Sequence, residues 1–241
     1  MPYKDLFGQA LVDFYQNRAT EDIITWTNIS EKDALPLAYL FREYKEMPLL
    51  ERYALKKSFG NILDVGCGTG SHSLYLQEQG LHVTAIDISE GAITVAKNRG
   101  VHNACVLALL EVTEKFDTIL LLMNGTGIFE ELTQVPNYLQ HLKSILAPNG
   151  QILIDSSDIK YMFEDEEDET IWRAPNMPYY GELNYYISYK GKEEHPMKWL
   201  YLDFDTLQKA CAKEGLHCIK LKDGAHFDFL VKISNPATNN S

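Results

Sequence analysis

The sequence predicts an α/β fold with a mostly parallel sheet, because short apolar runs alternate with helical patterns from residue 61 to residue 155. The predicted strands are 61–65, 82–86, 102–107, 117–123 and 151–155. Ser89 and Gly100 can cap and end the helix after the second strand, and Pro136 suits the first turn of a later helix. Parallel strands joined in this way require right-handed crossovers.

The segment before this core is predicted to be helical. Tyr3, Phe7, Ala10 and Phe14 share one face at helical spacing, which indicates an amphipathic helix that ends near Asn17. A second helical stretch is expected from about residue 35 to residue 57. We therefore expect residues 1–57 to form a helical cap or lid over the core, with Tyr15 and Tyr39 near the site.

The alternation of strands and helices changes after residue 155. An acidic run at 164–169 is followed by an aromatic-rich stretch from Trp172 to Trp199, with predicted strands at 182–190 and 194–203. A helix at 205–214 and a strand pair at 216–221 and 227–233 close the pattern. This divides the chain into a core at 58–235, with an insert at about 158–203, and a disordered tail at 236–241.

A glycine-rich turn carries the strongest functional signal. Residues 62–70 read ILDVGCGTG, and Asp87 ends the next apolar run 17 positions beyond Gly70. Glycines let the backbone approach a ligand closely, and a carboxylate about 20 residues further on can bind both hydroxyls of a ribose. The combination predicts a cofactor that carries a nucleoside.

The glycines are spaced GxGxG after Asp64, whereas dinucleotide-binding proteins use GxGxxG. This DxGxGxG pattern, with the later Asp87, resembles the class I S-adenosylmethionine-dependent methyltransferases. The resemblance implies a Rossmann-like seven-stranded sheet of order 3-2-1-4-5-7-6, with the last strand antiparallel and helices on both faces. It also implies S-adenosyl-L-methionine as cofactor, bound by Asp64, Gly66, Cys67, Gly68, Gly70, Asp87, Ile88, Leu109, Leu110, Met123 and Asn124.

The chain departs from the family pattern in two places. After the third strand the sequence LALLEV lacks the usual acidic residue, so Leu109 or Leu110 would contact the adenine, with Glu111 as a substitute. The fourth strand ends MNGTGIF instead of an NPPY-like tetrapeptide, which argues against methylases of adenine or glutamine amino groups. No acidic metal ligand of the kind that catechol-type members of the family carry follows that strand, so no metal site is predicted, with Asp155 and Asp158 as the alternative ligands.

The sequence does not identify the catalytic residues. Methyl transfer from a sulfonium needs donor and acceptor held in line, and a base only for some acceptors. Asp155, His226 and Asn124 are weak candidates, and each has a structural alternative as a capping or turn residue.

The composition of the chain limits the classes of molecule that could accept the methyl group. The chain has 241 residues, 45% of them hydrophobic, and a net charge of −12, which disfavours nucleic acid. No apolar run is long enough for a membrane span, so we expect a cytoplasmic protein. We predict methyl transfer to a small molecule through oxygen, nitrogen or carbon, with a protein acceptor as an open alternative. A cofactor-binding protein without transfer activity and a nicotinamide-dependent oxidoreductase are the rival functions.

Overall fold

The computed structural model describes residues 5–163 and 179–236. The strands are β1 Ile23–Thr27, β2 Asp33–Leu35, β3 Asn61–Val65, β4 His82–Asp87, β5 Ala104–Val106, β6 Phe116–Leu121, β7 Leu146–Ser157, β8 Glu182–Tyr189, β9 Lys192–Glu193, β10 Met197–Leu200, β11 His217–Asp223 and β12 Asp228–Ser234. The α-helices are α1 Leu6–Tyr15, α2 Leu37–Leu40, α3 Leu49–Lys57, α4 Ser71–Glu78, α5 Glu90–Arg99, α6 Val135–Ser144 and α7 Phe204–Lys213. Short 3-10 turns lie at Tyr44–Glu46, Leu109–Glu111, Gly125–Phe129, Leu132–Gln134 and Lys160–Phe163.

The core is a seven-stranded sheet of order β11-β12-β7-β6-β3-β4-β5. The pairs among β3, β4, β5, β6 and β7 are parallel, whereas β12 runs antiparallel to both β7 and β11. Numbered along the core, this is the predicted order 3-2-1-4-5-7-6, so the sequence-based prediction of the fold is confirmed.

Helices cover both faces of this sheet because neighbouring strand residues point to opposite sides. Leu63 and Ile119 belong to one apolar cluster with Leu139 of α6, while Ile62 and Leu120 belong to another with helix α3. The predicted ends of α5 are also present. The side chain of Ser89 accepts a hydrogen bond from the amide of Ala92, and Gly100 adopts the left-handed conformation after the last turn.

A second, antiparallel sheet of order β10-β8-β1-β2, with β9 paired to β8, stands over the core. Its strands come from two distant parts of the chain, since β1 pairs with β8 from Ile24 and Ser188 to Thr27 and Tyr185. Helix α1 packs between this sheet and α5, and Leu11, Val95 and Ile187 share one apolar cluster.

The prediction of an entirely helical N-terminal cap was wrong in part. Strands β1 and β2 lie within it, and the helix expected at about 35–57 is broken into α2, a 3-10 turn and α3. Pro36 explains where α2 begins and Pro48 explains the break before α3, because each takes an extended conformation immediately before a helix. A proline inside a continuous helix would lose a hydrogen bond and clash with the preceding turn.

Among the described residues, no helix combines the length and the apolar character needed to span a bilayer. The acidic run at 164–169, Trp172 and the tail from residue 237 lie outside the described residues.

Candidate active site

A cavity of about 610 Å³ lies at the carboxyl ends of β3, β4, β6 and β7, beneath the second sheet. This is the edge at which open α/β sheets bind ligands, and the volume is in the range of about 300–1,000 Å³ typical of small-molecule sites. Predicted site residues that line it are Asp64, Gly66, Cys67, Gly68, Asp87, Ile88, Met123, Asn124, Asp155 and His226.

The glycine turn has the backbone conformation that its sequence predicts. Gly66, Gly68 and Gly70 all have positive φ, at 70°, 53° and 81°. A Cβ atom on Gly68 would have no neighbour within 4 Å, so the space beside this glycine is open. A Cβ atom on Gly70 would collide with Val101 after helix α5. Gly68 therefore opens the cavity, whereas Gly70 permits close packing behind it.

Asp87 is attached to the glycine turn. Its Oδ2 accepts a hydrogen bond of 2.9 Å from the amide of Gly68, and its Oδ1 accepts one of 2.9 Å from the amide of Ser89. Burial raises the pKa of Asp87, although both amide hydrogen bonds act in the opposite direction. Each carboxylate oxygen has a second lone pair, which leaves the group able to accept hydrogen bonds from a diol.

Asp64 lies behind the turn with only 2% of its surface exposed. Its Oδ2 accepts a hydrogen bond of 2.6 Å from the hydroxyl of Ser73. The neighbouring Cys67 is also buried, and burial, together with the charges of Asp64 and Asp87, raises the pKa of its thiol. A thiol held protonated is a poor nucleophile, so Cys67 contributes to the turn through its backbone.

A buried ionic cluster of Arg42, Glu51 and His72 forms another part of the cavity wall. The Oε1 of Glu51 accepts a hydrogen bond of 2.6 Å from Arg42 Nη2, and its Oε2 lies 2.6 Å from His72 Nε2. Arg42 Nε is buried without a hydrogen-bond partner. Burial opposes ionisation of Glu51, but His72 and Arg42 together hold its pKa below the usual value.

The pKa of His72 is shifted in the opposite direction to that of Glu51. Burial alone would lower its pKa, but the hydrogen bond to Glu51 and the charges of Asp64 and Glu51 raise it. The cluster therefore keeps two positive groups and one negative group in the cavity wall while His72 is protonated.

Arg99, at the end of α5, joins the glycine turn to the N-terminal segment. Its Nη1 donates to the carbonyl of Thr69 at 2.9 Å and to the hydroxyl of Ser71 at 3.0 Å, and its Nη2 donates to the carbonyl of Phe41 at 3.2 Å. Thr69 also donates to the carbonyl of Leu40. These bonds fix Arg42, the next residue along the chain, relative to the turn.

The loop after β6 has an unusual backbone. Met123 and Asn124 are consecutive non-glycine residues with positive φ, at 68° and 59°. Asp155 holds them, because its Oδ2 accepts a hydrogen bond of 3.2 Å from the amide of Met123 and its Oδ1 one of 3.0 Å from the amide of Gly125. Burial raises the pKa of Asp155 to about 6. The Oδ1 of Asn124 accepts a hydrogen bond of 2.8 Å from Ser157.

Comparison with known proteins gives a consistent picture. The family described as a methyltransferase domain matches residues 37–221, which is more than half of the chain. The chain belongs to the methyltransferase family. The earlier resemblance to the class I S-adenosylmethionine-dependent enzymes is thereby confirmed.

A crystal structure similar to this methyltransferase is that of an S-adenosylmethionine-dependent methyltransferase from Bacteroides fragilis in complex with S-adenosyl-L-homocysteine. The two chains are 41% identical with a TM-score of 0.91, and the match covers 98% of each. YqeM of Bacillus subtilis is 29% identical over 132 residues, covering 48% of this chain and 53% of that protein. A ubiquinone biosynthesis O-methyltransferase of Rickettsia felis is 32% identical over 102 residues, covering 39% of this chain and 40% of the enzyme. The chain thus spans about half or less of these two curated relatives.

Three predicted site residues lie outside the cavity lining. Gly70, Leu109 and Leu110 do not line the cavity of this methyltransferase. Leu109 is 5% exposed and packs into the apolar core, whereas Leu110 is 40% exposed. His226 does line the cavity, but it sits in the turn between β11 and β12, where its amide donates to Asp228 at 2.8 Å.

Sequence reasoning missed Arg42, Glu51, His72 and Arg99. Their contacts join residues that are far apart in sequence, so no short motif marks them. Of the predicted lid residues, Tyr39 lines the cavity, whereas the Tyr15 hydroxyl donates to the carbonyl of Asn98 at 3.0 Å on α5. Within 5–163 and 179–236, no group of three or more His, Cys, Asp or Glu side chains is arranged to hold a metal ion.

Proposed function

We propose that this protein transfers the methyl group of S-adenosyl-L-methionine to a small-molecule acceptor. The observation that carries the proposal is the attachment of Asp87 to the open side of the glycine turn at Gly68. It supports a ribose bound by one carboxylate beside a backbone that a ligand can approach closely. Asp64 lines the same cavity and would repel a pyrophosphate, which disfavours a dinucleotide.

The cavity residues fit the cofactor in three parts. Asp87 would accept hydrogen bonds from the two ribose hydroxyls, and the exposed side chain of Ile88 would cover the adenine. Arg42, whose Nε lacks a partner, and His72 would balance the charge of the amino-acid carboxylate. Asp64 and Glu51 would balance the charge of its ammonium group. Leu109, Leu110 and the carbonyls of Met123 and Asn124 would supply further contacts to the cofactor.

When bound, the cofactor supplies an electrophilic methyl group on a sulfonium sulfur. The residues of the chain then have to orient the acceptor and exclude water. The second sheet does the latter, because Thr25, Tyr185 and Trp199 line the cavity from its opposite side. Asp155 fixes the loop that carries Met123 and Asn124, and it is the group best placed to accept a proton at this end of the sheet.

The acidic surface supports an acceptor other than nucleic acid. The cysteines Cys67, Cys105, Cys211 and Cys218 are all unpaired, which fits a reducing compartment such as the cytoplasm.

Calorimetric titration of the full chain with S-adenosylhomocysteine and, separately, with NAD tests the cofactor assignment. We expect saturable binding of S-adenosylhomocysteine and none of NAD. The reverse result would establish the oxidoreductase alternative. Incubation with methyl-labelled cofactor and a panel of small acceptors then tests transfer, and binding without any labelled product would leave only a cofactor-binding role.

A further inference from the structure

The part of the cavity that faces the second sheet is mostly aromatic and apolar. We call it the acceptor wall, and it consists of Thr25, Tyr185, Ile187, Met197, Trp199 and Tyr201. Tyr185 and Trp199 are in contact, with ring centroids 5.5 Å apart. The opposite side is formed by the ends of β6, β7 and β12 and contains Asp155 and Asp228.

The indole ring of Trp199 packs directly against Gly127, which follows β6. Any Cβ atom on Gly127 would collide with the indole ring. The indole Nε1 is buried and has no hydrogen-bond partner. Gly127 follows the loop that carries Asn124, so the ring is fixed relative to the proposed site of transfer.

Outside the hydrogen-bonded cluster of Arg42, Glu51 and His72, every Asp, Glu, Lys or Arg in the described lining of the cavity is an Asp. Of the described residues that line the cavity, Arg42 is the only lysine or arginine, and Glu51 neutralises it. Asp155 and Asp228 lie on the side opposite the wall without a lysine or arginine partner in that lining. An anionic group placed here would lie beside the carboxylates of Asp155 and Asp228, whereas a cation would meet carboxylates and aromatic faces.

We propose that the acceptor is an amine carried on a compact apolar or aromatic body, bound between the acceptor wall and the carboxylates of Asp155 and Asp228. The inference rests on the proposed function and specifies the substrate class of the same cavity.

Methylation of an amine in this cavity requires one proton acceptor, and Asp155 can supply it. The bound ammonium first gives one proton to the carboxylate of Asp155, which frees the nitrogen lone pair. The nitrogen then forms its bond to the methyl carbon while the carbon–sulfur bond breaks and its electron pair stays on sulfur. Sulfur becomes neutral and the nitrogen becomes a methylated ammonium. Asp155 releases its proton to water after the product leaves.

Binding to the protein saturated with S-adenosylhomocysteine tests this assignment. The probes are matched sets with one carbon body and a terminal amine, alcohol or carboxylate, such as phenethylamine, phenethyl alcohol and phenylacetate. We expect amines to bind at least about tenfold more tightly than their carboxylate partners, equivalent to 1.4 kcal/mol. Equal or tighter binding of carboxylates, or no binding by any amine of the panel, would overturn the proposal.

Two variants with matched controls locate the site. Asp228→Asn keeps an oxygen for the amide of His226 but removes the charge, and it should weaken amine binding about threefold to tenfold. Asp223→Asn on the same hairpin, where Asp223 pairs with Lys220 at 2.9 Å, should not. Trp199→Leu should weaken amines at least about tenfold, whereas Trp26→Leu on the same sheet should have no effect, because Trp26 does not line the cavity.

Cofactor binding distinguishes a failure of the proposed function from a failure of the amine assignment. If S-adenosylhomocysteine fails to bind the unaltered protein, the proposed function is wrong. If it binds to every variant as to the unaltered protein while amine binding is unchanged in Asp228→Asn and Trp199→Leu, the amine assignment alone is wrong. Trp199→Phe retains an aromatic face, and it provides a second test if the leucine variant is unstable.

Discussion

The carboxylate of Asp87 lies 2.9 Å from the backbone nitrogen of Gly68, so the proposed ribose ligand and the glycine turn form one hydrogen-bonded unit. The same carboxylate accepts from the amide of Ser89, the residue that caps α5. One side chain therefore links the end of β4, the turn after β3 and the start of the next helix. A change at this position should affect the whole cofactor site.

Asp87→Ala should weaken S-adenosylhomocysteine binding by about 1.5–3 kcal/mol, because charge-assisted hydrogen bonds to both hydroxyls would be lost. Calorimetric titration measures the change. Asp117→Ala is the matched control, since Asp117 also accepts from a backbone amide, that of Asn61, at the other end of β3. Equal affinities for the unaltered protein and Asp87→Ala would remove the ribose assignment.

Gly68→Ala should abolish or greatly weaken cofactor binding, because the added methyl group would occupy space that the ligand needs. Gly80→Ala is the control, since Gly80 also has positive φ and open space around its missing Cβ, but lies after α4. Both variants should lose about 1 kcal/mol of stability from backbone strain. Normal binding by Gly68→Ala would contradict the prediction.

His72→Gln should destabilise the protein in a pH-dependent way. The raised pKa of His72 means that its contribution is complete below its ordinary value of 6.5 and is lost as the pH rises through the raised value. The difference in free energy of unfolding from the unaltered protein should therefore be about 1–3 kcal/mol at about pH 6 and smaller at about pH 9. Denaturant titrations at both pH values measure it, with exposed His82→Gln as control. A difference that grows with pH would contradict the paired, protonated state.

Arg99→Ala should weaken cofactor binding although Arg99 does not line the cavity. The variant loses the hydrogen bonds that join Thr69 and Ser71 of the turn to Phe41. Each bond contributes about 0.5–1.5 kcal/mol, so we expect an affinity loss of about tenfold. Lys97→Ala, exposed on the last turn of the same helix, is the control. Similar affinities for both variants would show that the hydrogen bonds of Arg99 are unimportant for cofactor binding.

Asp155→Asn should lower kcat/KM for the best acceptor about 100-fold and change its pH dependence. Burial raises the pKa of Asp155 to about 6. If the ionised carboxylate is the active form, kcat/KM should fall as the pH drops below about 6. The asparagine variant should lack that acid limb. Ser157→Ala removes the bond to Asn124 but keeps Asp155, and it should retain the limb. Persistence of the limb in Asp155→Asn would assign it to another group.

The core sheet and the glycine turn were predictable because their signals are local. Strands β3 and β4 are continuous apolar runs, and the positive φ of Gly66 and Gly68 matches what glycine permits. Ser89 and Gly100 marked the ends of α5 for the same reason. The position of Asp87 beside the turn was predictable from its spacing in the chain.

The second sheet and the ionic cluster were not predictable in the same way. β1 reads IITWT, a β-branched segment that favours a strand, but its partner β8 lies far away in the sequence. Arg42 follows α2, Glu51 lies on α3 and His72 lies on α4, so they come together only through tertiary contacts, and each residue alone is an ordinary surface type. Such sites depend on tertiary contacts rather than on spacing.

The pairing of Ile24 with Ser188 has a consequence for how the protein matures. Strand β1 leaves the ribosome before the core strands, yet its hydrogen-bonding edge stays without β8 until residues 182–189 have been made. The parallel strands β3 to β7 are complete before then, so a nucleoside pocket would assemble first and acquire its roof last. Nascent chains arrested after residue 163 would offer the cofactor an unroofed pocket, and the late closure is a slow, long-range contact of the kind that limits folding rates.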